Sequence, residues 1–362
     1  MAATESSPQT ADGAASPIAA SGPDNRAARV SQRSTFRRIA GRPEIGSLMG
    51  AIAVVVLFFA VAPPIRSLDA VSTVLYATST IGIMAVAVSL LMIGGEFDLS
   101  AGVAVITSAL AGGMFTWWFG VNVWVGVGFA LVFSLGIGFL NGWLVTKTRL
   151  PSFLITLGAF LILQGLNLFI TRLVTGAVSS PSISDMDGFE SAKAVFASTI
   201  DIGGVGVRVT VLWWLGFTAI ATWILLRTKA GNWIYAVGDN QDAARAVGVP
   251  VKWTKIGLFM AVGFMAWFMG MHNLFLFSSI QSGGGVGQEL IYIAAAVVGG
   301  CALMGGYGTA IGAAIGALIF GLTNQGIVFA GWNPDLFKFF IGATLLVAVV
   351  LNMWVRVRTQ RR

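Results

Sequence analysis

Ten apolar runs separated by short polar stretches dominate the chain: 47–62, 71–93, 99–119, 121–146, 153–171, 210–226, 256–277, 291–304, 310–330 and 336–355. A helix needs roughly 20 apolar residues to cross about 30 Å of hydrocarbon, and fewer if it is broken or the bilayer thins. The pattern therefore predicts an all-α fold: a polytopic membrane helix bundle of about ten transmembrane helices. The first and eighth runs are short, which places an embedded break or tilt near Gly305 and Gly306. Around the transmembrane domain, 45–355, lie a cytoplasmic tail, 1–44, and a short basic cytoplasmic tail, 356–362. The first tail, Ala-, Ser- and Gly-rich with scattered Arg, cannot bury a core and is expected to be disordered. Ala60-Val61-Ala62 imitates a signal-peptidase site, but the polar region before it is too long, so the first helix is read as retained.

Composition fixes the solvent. At 56% hydrophobic and 10% charged residues, the chain lies far outside the range of soluble domains. A net charge of +7 could point to nucleic acid, but the basic residues sit in tails and short loops rather than on one domain face. Orientation in a bilayer explains them instead. With ten crossings and both termini cytoplasmic, seventeen of the 22 Lys and Arg residues fall on the cytoplasmic side, as membrane topology favours. The single cysteine, Cys301, implies neither a disulfide framework nor a thiolate metal cluster.

Glycines within the runs recur at four-residue spacing: Gly138 with Gly142, and Gly308 with Gly312 and Gly316. Such stripes let helix backbones approach closely. Two Gly-rich breaks carry acids: IGGEFDLSAG at 93–102 and SGGGVGQEL at 282–290. A lipid-facing acid at mid-depth costs on the order of 2.5–3.5 kcal/mol, so these side chains must face a partner, a helix end or water. Two readings stand: the acids cap helix N-termini, or Glu96, Asp98, Ser100, Gln281 and Glu289 line a solute pathway built on broken helices. The breaks lie at opposite ends of spans two and seven, which suggests an inverted repeat of spans two to five against seven to ten.

The polar island at 227–256 is the most informative feature. Within it Asp239 or Asn240 can cap a short helix that Gly248 and Pro250 end. Two turns cannot be stable alone. Ala243, Ala244 and Val247 form a small apolar face flanked by Asp242 and Arg245, fit to enter a cleft on a soluble partner; a helix lying on the membrane surface or folded back on its own bundle is the alternative. The other long loop, 172–209, is external and long enough only for a small cap. The lone histidine, His272, has no second His and no HExxH pattern, so a hydrogen-bonded structural role is expected and no catalytic residue or metal site is assigned. Trp117, Trp118, Trp124, Trp213, Trp214, Trp332 and Trp354 fall near expected span boundaries, as interfacial anchors do.

Several segments resemble the permeases of bacterial ABC sugar importers, in the ribose/xylose/galactoside branch. Asp242-Ala243-Ala244 with Gly248 resembles the EAA loop. GGEFDLSAG resembles GG-x-DLS-x-G, LPSFLITLGAFLILQGL is similar to the P-x-F-x-x-TLG segment, and GNWIYAVGDNQDAARAVGV and ELIYIAAAVVGGCALMGGYGTAIGAAIGALIFG are similar to the second half. The chain departs in having Asp for Glu in the EAA-type motif, and Ile291 where many members carry Asp. The resemblance implies a permease subunit in the cytoplasmic membrane, paired with an identical or similar copy. On that resemblance it would pass a monosaccharide of the ribose, xylose, galactose or fructose kind. An extracytoplasmic binding protein would deliver the sugar. A cytoplasmic ATPase, expected to be double-cassette, would grip Asn240, Gln241, Asp242, Ala243, Ala244, Arg245 and Gly248. The sequence agrees with that division of labour, since it contains no Gly-Lys dipeptide and so no phosphate-binding P-loop. The chain is then not itself an enzyme and needs no cofactor. The rival class is an ion-coupled secondary transporter using Glu96, Asp98 and Glu289.

Overall fold

The computed structural model describes the backbone of residues 43–360 and the side chains of 46–350. The tail expected to be disordered thus lies, but for its last two residues, outside the described residues, as does the Trp354 side chain. Every apolar run forms a helix. The elements are α1 (Pro43–Val61), α2 (Leu68–Ile93), α3 (Ala101–Phe119), α4 (Val123–Thr148), α5 (Ser152–Thr175), α6 (Phe189–Phe196), β1 (Thr199–Ile202), β2 (Val205–Arg208), α7 (Val209–Arg227), α8 (Lys229–Asp239), α9 (Gln241–Ala246), α10 (Val251–Phe277), α11 (Gln288–Val298), α12 (Ala310–Phe329) and α13 (Leu336–Gln360). Among the described residues, seven helices are long and apolar enough to cross a membrane: α2 to α5, α7, α10 and α12. The apolar stretches of α1, α11 and α13 are shorter.

Because nearly every helix is apolar on all sides, hydrophobicity does not choose which face is inside. Close approach does. In its most apolar window α2 is 72% buried and α5 only 17%, so α2 is central and α5 turns Leu161, Ile162, Phe169 and Leu173 outward. Exposed apolar surface on that scale belongs against lipid or another protein rather than water.

The two most extensive helix pairings are α2 with α12 and α4 with α10. Both are made by glycine. A Cβ on Gly138 or Gly142 of α4 would stand 2.5 Å from Phe259 O or 2.8 Å from Ile256 Cα of α10, and one on Gly321 of α12 would stand 2.2 Å from Thr78 Oγ1 of α2. Gly312 and Gly316 press α12 onto the end of α11 at Gly299 and Ala295 in the same way. Gly308 does not belong to that stripe. It precedes α12 with φ +149°, and a Cβ there would meet Cys301 Sγ at 2.7 Å.

Both Gly-rich breaks re-enter the bundle. Gly270 of α10 abuts Val105 and Ala109, so α3 starts beside the middle of α10 rather than at its end. From the other side, the 278–287 connection descends until a Cβ on Gly102 would stand 2.5 Å from both Gly285 O and Glu289 Oε2. The first turns of α3 and α11 therefore touch, and the two helices run apart in opposite directions. The short eighth run ends sooner than its apolar length suggests: α11 stops at Val298, and 299–309 is an irregular turn containing Gly305 and Gly306.

The 172–209 loop is a compact cap and, among the described residues, carries the one sheet in an otherwise helical fold. Asp201-Ile202-Gly203-Gly204-Val205 closes a two-residue hairpin, with Ile202 opposite Val205. The turn needs positive φ at both central residues, and Gly203 (φ 66°) and Gly204 (φ 86°) supply it without strain. The cap is pinned at several points. Ser180 N–H donates to Ile280 O (2.9 Å) and Ile183 N–H to Ser278 O (3.0 Å), while the Trp124 indole donates to Ser191 Oγ (2.9 Å) and that of Trp213 to Val195 O (2.9 Å). Trp214 is not an interfacial anchor. Its indole is buried in the space that Gly82 leaves free, 2.2 Å from where a Cβ would be.

His272 ties cap to bundle. Its Nδ1 lies 2.7 Å from Phe196 O, which can only accept, so Nδ1 carries the proton and Nε2 accepts from the Tyr76 hydroxyl at 3.2 Å. Thr210 Oγ1 lies 3.3 Å from Nδ1 as well. The structural role expected for this residue fits that geometry.

Candidate functional site

The polar island folds as two short helices in sequence. Thr228 caps α8 by accepting from Gly231 N–H at 3.2 Å. Asn240, not Asp239, caps α9: its Oδ1 accepts from Asp242 N–H (3.0 Å) and Ala243 N–H (2.9 Å). The helix ends where Gly248 adopts φ +84°, a conformation costly for any residue with a Cβ. Ala244, at 3% exposed, packs with Val237 of α8 and Val251 of α10, and this contact holds a helix too short to persist alone.

That packing divides the apolar face expected from the sequence. Ala244 points inward, so it anchors the helix instead of presenting to a partner. Gln241, Asp242, Ala243, Arg245, Ala246, Val247 and Gly248 are exposed, with Val247 at 80%. The Arg245 guanidinium donates to Asp242 Oδ1 at 2.9 Å across an open surface. Such an exposed pair contributes little to stability, on the order of 0–1 kcal/mol.

Beneath the knob, α8 is pressed into the bundle. Gly238 abuts the Ile93 carbonyl, which also accepts from Gly306 N–H at 2.8 Å. The Tyr235 hydroxyl donates to Gly308 O at 2.8 Å. The end of α2, the end of α8 and the 299–309 turn thus form one glycine-lined junction.

The pathway candidates separate. Glu96 forms a buried ion pair with Lys255 of α10. Asp98 Oδ1 accepts from Ser100 N–H (2.8 Å) and Ser100 Oγ–H (2.5 Å), and Ser100 Oγ accepts from Asn141 Nδ2 of α4 (3.0 Å), so these residues shape the turn into α3. Glu289 Oε1 accepts from Gly287 N–H at 3.0 Å, while its buried Oε2 has no hydrogen-bond partner among the described residues. Gln281 is exposed and pairs by a β-bridge with Ser179 of the 172–209 cap. Asp98 thus bonds the residue just before α3, and one oxygen of Glu289 bonds the residue just before α11.

Sequence reasoning missed Lys255. By pattern it is only one of the seventeen basic residues expected on the cytoplasmic side, although a lysine a full turn inside an apolar helix needs a partner if it is buried. Its side chain is 8% exposed, and its ammonium donates both to Glu96 and to Gln241 Oε1 at 2.8 Å. Nothing in the spacing links position 96 to position 255.

The family described as "Branched-chain amino acid transport system / permease component" matches residues 70–349. The chain belongs to this family of transport permease components, multi-pass membrane proteins rather than enzymes. It is 32% identical over 324 residues to the ribose import permease protein of Escherichia coli K12, covering 89% of this chain and 97% of the relative. It is 30% identical to the xylose transport system permease protein of Escherichia coli K12 (87% and 92% covered) and 29% identical to the fructose import permease protein of Rhizobium meliloti (78% and 77% covered). No solved structure matches the chain.

Proposed function

We propose that this chain is the permease subunit of an ATP-driven importer in a bacterial cytoplasmic membrane, and that its cargo is a pentose or hexose. The carrying observation is the knob at 240–248. A capped helix, held by one inward alanine and otherwise exposed, stands on the glycine junction where α2, α8 and the 299–309 turn meet. That is a mechanical handle, and the chain has no P-loop of its own to drive it. A separate ATPase supplies the stroke, and a binding protein on the far side delivers the sugar to the face carrying the external cap. The sugar reading comes from the ribose, xylose and fructose permeases to which nearly the whole described bundle is similar.

Ten crossings with both termini cytoplasmic place the knob on the cytoplasmic side together with most of the Lys and Arg. An inverted repeat, α2–α5 against α10–α13, is supported by the pairing of α2 with α12 as α10 pairs with α4, and by the meeting of α3 and α11 at their first turns. Two copies, or one copy and a similar permease, enclose the pathway by the apolar surfaces that α4 and α5 leave open. Among the pathway candidates Glu289 holds a buried carboxylate oxygen with no hydrogen-bond partner among the described residues, which suits it to accept from a sugar hydroxyl.

The test is uptake into sealed proteoliposomes containing the permease, its ATPase and its binding protein. Labelled ribose, xylose and fructose should accumulate with ATP present and ion gradients collapsed, while leucine should not. Accumulation that stops with the ion gradient although ATP is maintained would establish a secondary transporter instead.

A further inference from the structure

Lys255 joins three elements that the sequence keeps apart. Its buried ammonium, one turn into α10, donates to Glu96 in the 94–100 segment and to Gln241 Oε1 at the first position of α9. An ammonium has only donors, so the Gln241 amide must present its oxygen. The partners differ in setting. Gln241 is an exposed residue of the docking knob, whereas Glu96 is buried in the re-entrant connection between α2 and α3.

That connection is held further along by named bonds. Phe97 N–H donates to Ser152 Oγ (3.0 Å) and Leu99 N–H to Thr156 Oγ1 (3.1 Å), both at the start of α5. Asp98 and Ser100 then lead into the first turn of α3, where Gly102 meets Glu289. Polar contacts therefore tie the exposed knob to the 94–100 segment, whose backbone leads directly into the junction of the two broken helices.

Stability alone does not explain an ion pair at this place. A buried pair adds little over apolar side chains of the same volume, because desolvation offsets the attraction. What it does provide is a directional link that fixes the register of its elements and resists being replaced by water.

We infer that Lys255 is a positioning residue for energy coupling: its ammonium transmits displacement of the knob, through Gln241 on one side and Glu96 on the other, to the 94–100 segment and so to the start of α3. This rests on the docking of an ATPase at 240–248. Glycine packing at Gly238 carries α8 and α2 together as a rigid junction. The Lys255 link is what reaches the re-entrant segment.

The experiment is hydrogen–deuterium exchange on the complete transporter in nanodiscs, with and without a non-hydrolysable ATP analogue. In the unaltered complex, nucleotide should change exchange at both 240–247 and 94–100. The double variant Lys255→Met with Glu96→Gln removes both charges at similar volume and so avoids stranding one of them. It should keep the response at 240–247 and lose it at 94–100. Gln241→Leu, which leaves the buried pair intact, should likewise lose the 94–100 response, and Lys255→Arg should retain it. Persistence of that response in both Lys255→Met/Glu96→Gln and Gln241→Leu overturns the inference, as does its absence from the unaltered complex. If 240–247 itself fails to respond in the unaltered complex, the docking reading falls and this inference falls with it.

Discussion

Gly238 lies directly against the carbonyl of Ile93: a Cβ built on Gly238 would stand 1.8 Å from that oxygen and 2.6 Å from Gly306 N. The oxygen is already committed to Gly306 N–H, so neither neighbour can move without breaking a backbone hydrogen bond. α8 can reach α2 at this point only because position 238 has no side chain.

Gly238→Ala is therefore expected to destabilise the protein by about 1–3 kcal/mol or more, the range for overpacking a site that cannot relax. Gly257→Ala, on the open side of α10 with nothing within 4 Å, should be near neutral. Thermal unfolding of the two variants in the same detergent, followed by tryptophan fluorescence, compares them; equal melting points would contradict the seam.

Replacing Asn240 by Ala removes the acceptor for Asp242 and Ala243 N–H and should cost about 1 kcal/mol locally, as a lost N-cap does. The six-residue helix is otherwise held by the inward Ala244 and by the Gln241 bond to Lys255, both of which the substitution leaves in place. Amide exchange at 241–246 should rise several-fold while exchange in α2 and α12 stays unchanged, and a uniform rise across the bundle would contradict a local role.

Val247 is exposed at 80% and contacts nothing that its loss would leave empty. Val247→Asp should leave the melting temperature within the usual surface range of about ±0.5 kcal/mol. It should nonetheless weaken co-purification of the ATPase, because an unpaired charge would be buried in the partner's cleft. Unimpaired assembly would remove position 247 from the docking surface.

His272→Leu leaves Phe196 O and the Tyr76 hydroxyl without a buried partner. Each unsatisfied group costs about 1–3 kcal/mol. Because those bonds hold α6 against α2 and α10, limited proteolysis should cut the 189–208 cap faster in the variant. Cleavage at the unaltered rate would mean the cap is held by its other contacts alone.

Cys301 is the sole cysteine, buried at 1% exposure behind Gly308. A maleimide reagent should label it only as the 299–309 turn opens, which makes labelling rate a direct measure of junction stability. Gly238→Ala should accelerate labelling, whereas Gly257→Ala should not. Rapid labelling of the unaltered protein would contradict the burial.

The amino-acid sequence on its own determined the solvent, the places of the apolar helices along the chain, and the start and stop of the short knob helix. Those features rest on local chemistry: apolar length, the Asn240 cap, and the φ that only Gly248 adopts readily. His272 was legible too, because a lone histidine on an apolar helix has few roles. Tertiary structure alone decided the pairing of Lys255 with Glu96 and Gln241, the inward turn of Ala244, the burial of Trp214 against Gly82, and the meeting of Gly102 with Glu289. In a helix apolar on every side, the hydrophobic pattern carries no information about which face is inside. That choice is made by where two backbones can come close and where a buried charge can find its counterpart, and both depend on residues far apart in the chain.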